Sequence, residues 1–295
     1  MSKMKRKLRQ KIAKTLVSVF VLAVFIIPVF VTARWVSGIV GDHDPRKVTE
    51  IALLQPRAVD QTSAPLKPLN EPIITVTFDD GWESVYTNAL PVLQREGIRT
   101  TQYIISGVLD NPSYMSVRQL QSMQSAGHEV GAHTASHADL TMLDDKQLKV
   151  ELADSQADLT EHFGAVVDFT SPYGAYNAHT LKIISQYYRS QKNAEGDPAA
   201  NELEAINVQA GFNALNIKSY SVRKTTTLED LKKLIKAAKD HNGWLILTYH
   251  QVDNTSGDLY AVSPEAFEQQ MELIRGSDIR SATVGQVFKA LERER

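Results

Sequence analysis

From Ile73 onward the chain alternates short apolar runs with stretches of helical period, and this alternation limits the fold more than any other feature. "IITVTF" (73–78), "TTQYII" (100–105), "HEVGAH" (128–133), "VVDFT" (166–170), "KSYSV" (218–222) and "WLILTYH" (244–250) read as strands. The first is almost continuously apolar, as in a strand covered on both faces. Between them lie helical patterns. One carries Tyr86, Leu90 and Leu93 on a stripe and stops at Gly97; the next starts near Ser116 with Val117, Leu120 and Met123 inward and stops at Gly127. A long one from about Asp144 carries Leu148, Leu152, Leu159 and Phe163. Asn177 and Thr227 are placed to cap two more, the second ended by Gly243, and Ser263-Pro264 opens a final long helix. Such alternation implies an α/β fold built on a mostly parallel sheet, open or closed into a barrel.

The 295 residues, 43% hydrophobic, suffice for one α/β domain of barrel size, and the absence of cysteine excludes disulfides and thiolate metal sites. Charge is uneven. Lys3, Lys5, Arg6, Lys7, Arg9, Lys11 and Lys14 make residues 1–14 a basic tail, and no acidic residue precedes Asp42. Setting these seven charges aside from the net −2 leaves the remainder near −9, which argues against a nucleic-acid partner. Residues 15–33, "TLVSVFVLAVFIIPVFVTA", carry no charge and would form roughly 28 Å of helix. They read as a transmembrane anchor with the basic tail in the cytoplasm, or as a signal peptide cleaved near Ala33. Either arrangement puts the body outside the cytoplasm. Residues 42–72 hold five prolines and no apolar period, and read as a linker to a domain spanning 73–292.

Polar clusters close four of the expected strands: Asp79-Asp80-Gly81, His133 and His137, Pro172-Tyr173-Gly174, and His250. In a parallel α/β barrel the strand C-termini share one face, where active sites are built. "HTASH" spaces two histidines four apart, and on a helical turn both imidazoles would share a side. With a carboxylate from Asp79 or Asp80 they would form a His₂–carboxylate set with open positions, the donor set of a catalytic divalent ion.

In this order, "TFDDG", "HTASH", "PYG" and a strand ending in histidine resemble the polysaccharide deacetylases, also called carbohydrate esterase family four or NodB-homology domains. The resemblance runs from about Ile73 to the C-terminus. It implies an irregular (β/α) barrel of about seven parallel strands and hydrolysis of N-acetyl groups on an N-acetylhexosamine polysaccharide. It implies Asp79 as general base and Asp80, His133 and His137 as ligands of a divalent ion, zinc first, with cobalt or nickel accommodated. Tyr173 would help hold the oxyanion through its backbone N–H, and His250 would be the general acid.

Two departures stand out. Many members carry an arginine two residues before the proline of "PYG", where this chain has Thr170, so Asp79 is expected to lack a cationic neighbour and to titrate higher than in those relatives. "PYGAYN" also resembles the subset that deacetylates poly-β-1,6-N-acetylglucosamine, which has a small residue there too. The family's Asp-Trp segment, which orients the acid histidine, is not recognisable between Gln191 and Lys224; Asp197 and Asp253 are the candidates to replace it. Trp82 reads as a packing residue, with stacking on a sugar as the alternative, and His128 as a residue that merely precedes a strand. A non-catalytic glycan-binding barrel and a metal-dependent O-acetyl esterase are the alternative functions.

Overall fold

The computed structural model describes residues 71–194, 202–208 and 212–292. The basic tail, the apolar segment 15–33 and most of the linker lie outside the described residues, as does Asp197. Among the described residues, no helix is long and apolar enough to cross a membrane.

In chain order the strands are β1 (Ile73–Phe78), β2 (Thr100–Ile104), β3 (Glu129–Ala132), β4 (Asp168–Thr170), β5 (Ser190–Lys192), β6 (Ile206–Asn207), β7 (Tyr220–Ser221), β8 (Trp244–Tyr249) and β9 (Arg280–Ser281). The main helices are α1 (Leu90–Glu96), α2 (Val117–Ser125), α3 (Asp145–Phe163), α4 (Ala178–Ile184), α5 (Leu228–Asp240), α6 (Pro264–Arg275) and α7 (Val284–Glu292). The strands form one curled sheet, a half-barrel in the order β5-β4-β3-β2-β1-β8-β6, with β7 beside β8 and β9 beside β1. Every pairing is parallel except β6 with β8.

Local chemistry explains most helix boundaries. Ser116, Asp144, Asn177 and Thr227 form capping boxes, and the Ser263 hydroxyl accepts the Ala266 N–H ahead of Pro264. Three expectations need correction. The first helix opens with a π-helical turn over Val85–Ala89 before α1. The expected final long helix is two, α6 and α7, separated by β9. Among the described residues the sheet has nine strands where about seven were expected: β7 falls within the expected "KSYSV" strand, whereas β6 and β9 are two-residue pairings and β5 reads as a polar "SQK".

Side-chain parity along the strands divides the core. On β1, Ile74, Val76 and Phe78 join the large cluster under the helices, with Leu245, Leu247 and Tyr249 of β8. Ile73 faces the concave side with Tyr103, Trp244, Ile246 and Phe288, where α7 closes the bottom of the half-barrel. Thr75 and Thr77 continue the concave series. Thr75 accepts the Trp244 indole N–H at 2.8 Å, and Thr77 lies 3.0 Å from the Thr248 hydroxyl. Odd-numbered residues of β1 therefore lead up the inside of the sheet to its C-terminal edge.

Candidate active site

Asp79 is the next odd residue after Thr77, so it emerges on the concave side, with its N–H held by Tyr249 O at 2.9 Å. By parity Asp80 would point toward the helices. Instead the chain turns there: Asp80 has φ 76° and Gly81 φ 94°. Asp tolerates the left-handed region better than most residues, and Gly81 combines that φ with a Cβ position only 3.2 Å from Ile104 Cδ1. This turn lets two adjacent carboxylates reach one cavity from different directions.

Asp80 meets His133 and His137, and one donor atom from each of the three lies within 4.8 Å of the others. His133 Nε2 is 3.5 Å and His137 Nε2 3.4 Å from Asp80 Oδ1. His133 donates its Nδ1–H to Thr170 O at 2.8 Å, which fixes the tautomer and leaves Nε2 with a lone pair facing Asp80. "HTASH" does this without the helical turn that its spacing suggested. It is a loop in which Thr134 and His137 are left-handed, with φ of 68° and 64°. Glu151 of α3 braces the loop by accepting the N–H groups of Ala135 and Ser136 at 3.1 and 2.9 Å.

The donor set fits a divalent ion. Asp80 Oδ1 is buried and has no hydrogen-bond partner, while Oδ2 takes the Trp82 indole N–H at 2.9 Å. Separations of 3.4–3.5 Å are those of ligand atoms that each lie about 2.1 Å from one tetrahedral ion. Burial opposes ionisation of Asp80, but the neighbouring His133 and His250 imidazoles and the Trp82 N–H together hold it well below the usual carboxylate range. Burial and the neighbouring His133 push His137 below 6.5, against the pull of Asp80 and Asp79. Both states are those a cation requires.

Asp79 differs from Asp80 in its partner. Lys192 Nζ donates to Asp79 Oδ2 at 3.0 Å, and both side chains are buried, with 0% and 7% of their surface exposed. The expectation that Asp79 lacks a cationic neighbour is therefore corrected. The cation comes from β5, where Lys192 is the register partner of Thr170 on β4. Phe169 packs outward in the large cluster, so Thr170 and Lys192 share the concave face. The signal that could have found it was the alternation itself, which calls for a strand after α4.

Tyr173 follows Pro172 with φ 60°. Its side chain is exposed and its hydroxyl lies 3.2 Å from His137 Nδ1, a contact that the sequence reading did not anticipate. Four of the eight left-handed non-glycine residues among the described residues (Asp80, Thr134, His137 and Tyr173) belong to this one site, and backbone strain is commonly stored at such sites.

His250 follows β8 on the same rim. Its ring packs on Tyr260 with centroids 4.9 Å apart, and its Nδ1 is buried without a partner. Burial lowers its pKa, against the nearby Asp79 and Asp80 carboxylates. Asp253 does not orient it, since its carboxylate is turned to the N–H groups of Thr255 and Ser256 at 2.7 and 2.8 Å. Trp82 stacks on Tyr114 as a packing residue would, and its bond to Asp80 adds a role that the sequence reading missed. His128 is structural, its Nδ1 accepting from the Thr100 N–H. Asp79, Asp80, His133, His137, Tyr173 and His250 all line one cavity of 360 Å³.

A curled parallel sheet that gathers two carboxylates and three imidazoles at its strand ends defines the class: an α/β half-barrel with a donor set for one ion. Comparison with known proteins points to one family. Residues 67–189 match the family model of the polysaccharide deacetylases. YxkH of Bacillus subtilis (strain 168), whose name carries a provisional polysaccharide deacetylase assignment, is 31% identical over 121 residues, 41% of this chain and 43% of YxkH. Peptidoglycan-N-acetylglucosamine deacetylase PgdA of Listeria monocytogenes serotype 1/2a (strain 10403S) is 31% identical over 116 residues, 38% of this chain and 23% of PgdA. The chain thus spans less than half the length of these relatives. Among solved structures, the Xyl-CE4 domain of a multidomain xylanase from the hindgut metagenome of Trinervitermes trinervoides aligns with TM-score 0.54 and 20% identity, over 76% of this chain and 92% of that domain. At that identity the likeness establishes the fold.

Proposed function

We propose that the protein is a metal-dependent deacetylase that hydrolyses N-acetyl groups of an extracytoplasmic N-acetylhexosamine polysaccharide and releases acetate. One observation carries the reading: a free carboxylate oxygen, a His₂–Asp donor set and a separate histidine line the same cavity. Asp80, His133 and His137 would hold the ion, zinc first by donor type, with cobalt or nickel accommodated. When bound, it supplies Lewis-acid polarisation of the acetyl carbonyl and of the attacking water.

The chain's own residues do the rest. Asp79 Oδ1, buried and unpartnered, accepts the proton that water loses as it attacks. The Tyr173 N–H donates to the oxygen on which negative charge develops, a type of contact whose loss costs about 3 kcal/mol. His250 gives a proton to the departing nitrogen, because an amine is too basic to leave as an anion. The Asp79–Lys192 pair supports the catalytic reading over a non-catalytic barrel, because it supplies a cation where the expected arginine is missing.

The substrate reading draws on PgdA, named for peptidoglycan N-acetylglucosamine, and extends to chitin-type and poly-N-acetylglucosamine chains. Residues 1–33 would anchor the protein in the cytoplasmic membrane with the domain outside. A mature N-terminus at Arg34 would instead show a secreted form. The test is acetate release by the purified protein from these glycans and from an O-acetylated xylan, before and after chelation and zinc add-back. Metal-restored release from an N-acetylated glycan supports the proposal; release from the O-acetylated polymer alone, or from none, overturns it.

A further inference from the structure

We infer that Lys192 is a positioning residue: it holds Asp79 Oδ2 so that Oδ1 faces the cavity, and it does so from β5. The inference rests on the deacetylase reading for its kinetic test, but the geometry stands by itself. The Lys192 ammonium is fully buried, with Asp79 Oδ2 at 3.0 Å as its one hydrogen-bond acceptor among the described residues. Its other near neighbour is the face of Tyr103, at 5.3 Å. Burying an ammonium costs free energy, and an apolar residue of similar volume often serves stability equally well, so packing alone does not account for a lysine here. What the pair does achieve is asymmetry. One Asp79 oxygen is clamped, and the other is buried, unpartnered and at the cavity wall. A freely rotating carboxylate would present neither oxygen reliably, and displacement of a reacting group by about 1 Å can cost on the order of 10²-fold in rate.

The strand supporting this clamp is short and polar. Thr170 donates its hydroxyl to Lys192 O at 3.1 Å and Gln191 Nε2 donates to the same oxygen at 2.9 Å, so the Lys192 backbone is held by side chains as well as by the sheet. Because Thr170 and Lys192 are in register on one face, a cation moved one strand over, to position 170, would approach Asp79 from nearly the same place.

The experiment compares Lys192→Met, Lys192→Arg, the double variant Thr170→Arg/Lys192→Met, and Lys192→Met in an Asp79→Asn background, all with metal content measured. Lys192→Met should keep its metal and lose about 10²-fold in kcat with KM little changed. Lys192→Arg and the relocated double variant should each regain at least about tenfold over Lys192→Met, while Lys192→Met should add nothing once Asp79 is Asn. A crystal structure of Lys192→Met should show the Asp79 carboxylate rotated or split while Asp80 stays in place, a readout independent of turnover. A Lys192→Met enzyme within threefold of wild-type kcat, or a loss that neither arginine variant relieves, would overturn the inference. An inactive wild-type protein would count against the deacetylase reading instead, and an unmoved Asp79 in the crystal would then still decide against the clamp.

Discussion

The two walls of the cavity are built by different means. On one, Asp80, His133 and His137 converge through local turns: a left-handed Asp-Gly step after β1 and a left-handed loop after β3. On the other, Asp79 is held by a lysine 113 residues away, on a three-residue strand whose side chains are all polar. The first wall needs orphaned donor atoms that face one another; the second needs one carboxylate oxygen tied back and one left free. Two neighbouring aspartates thus acquire opposite tasks from their partners, imidazoles for Asp80 and an ammonium for Asp79.

The largest expected effect breaks the first wall. Asp80→Ala should abolish metal binding and acetate release together, because two neutral imidazoles are left without their anionic partner. Retention of stoichiometric metal by that variant would remove the proposed donor set.

Replacing His250 by Ala should leave both walls and the metal intact and lower kcat on the amide by about 10²–10⁴-fold. An activated ester, whose leaving group needs no proton, should suffer far less. Burial holds His250 below 6.5, so its acid form is depleted as pH rises through a value under 6.5. The basic limb of kcat on the amide should fall there and disappear in His250→Ala; equal losses on amide and ester would leave His250 a structural residue.

A subtler change probes the support behind the first wall. Trp82→Phe keeps the stacking surface toward Tyr114 and removes the N–H that Asp80 Oδ2 accepts. Metal affinity measured by competition with a chelator should weaken by about 10–100-fold, with kcat at saturating metal changed little. Unaltered affinity would make Trp82 a packing residue only.

An effect on stability and not on catalysis concerns the other end of β3, where His128 is the structural counterpart of His133. Burial, with the nearby Arg99, lowers His128 from 6.5 to about 4. Between those values the unfolded chain takes up a proton that the folded one refuses, so stability should fall as pH drops from 6.5 toward 4, by up to ~3 kcal/mol. Above 6.5 both states are neutral and His128 contributes no slope. His128→Gln should flatten denaturation midpoints across that window; an unchanged slope would place the titration elsewhere.

The contrast between the walls also explains what the sequence made legible. β1 and β8 are long, apolar and buried throughout, and the aspartates and His250 at their ends could be placed before any coordinates. The histidines were visible from their spacing, though for the wrong local reason, since a left-handed loop brings them together instead of a helical turn. Capping residues marked four helix starts because their side chains act within three residues. Lys192 escaped because "SQK" has no apolar signature, and its partner is fixed only by strand order. Glu151 escaped for a similar reason, lying on a helix whose apolar stripe says nothing about a loop braced from its polar side. Tyr173 was assigned through its backbone, and nothing local to "PYG" indicated that its hydroxyl would reach His137.

The most direct test of the account separates the two walls in one pair of variants. Metal content and acetate release would be measured on the same preparations of wild type, Asp79→Asn and His137→Ala. The account predicts that Asp79→Asn binds metal as the wild type does yet turns over about 10²–10⁴-fold more slowly, while His137→Ala loses metal and activity together. If Asp79→Asn sheds its metal, or His137→Ala keeps full metal, the division of labour between the adjacent aspartates is contradicted.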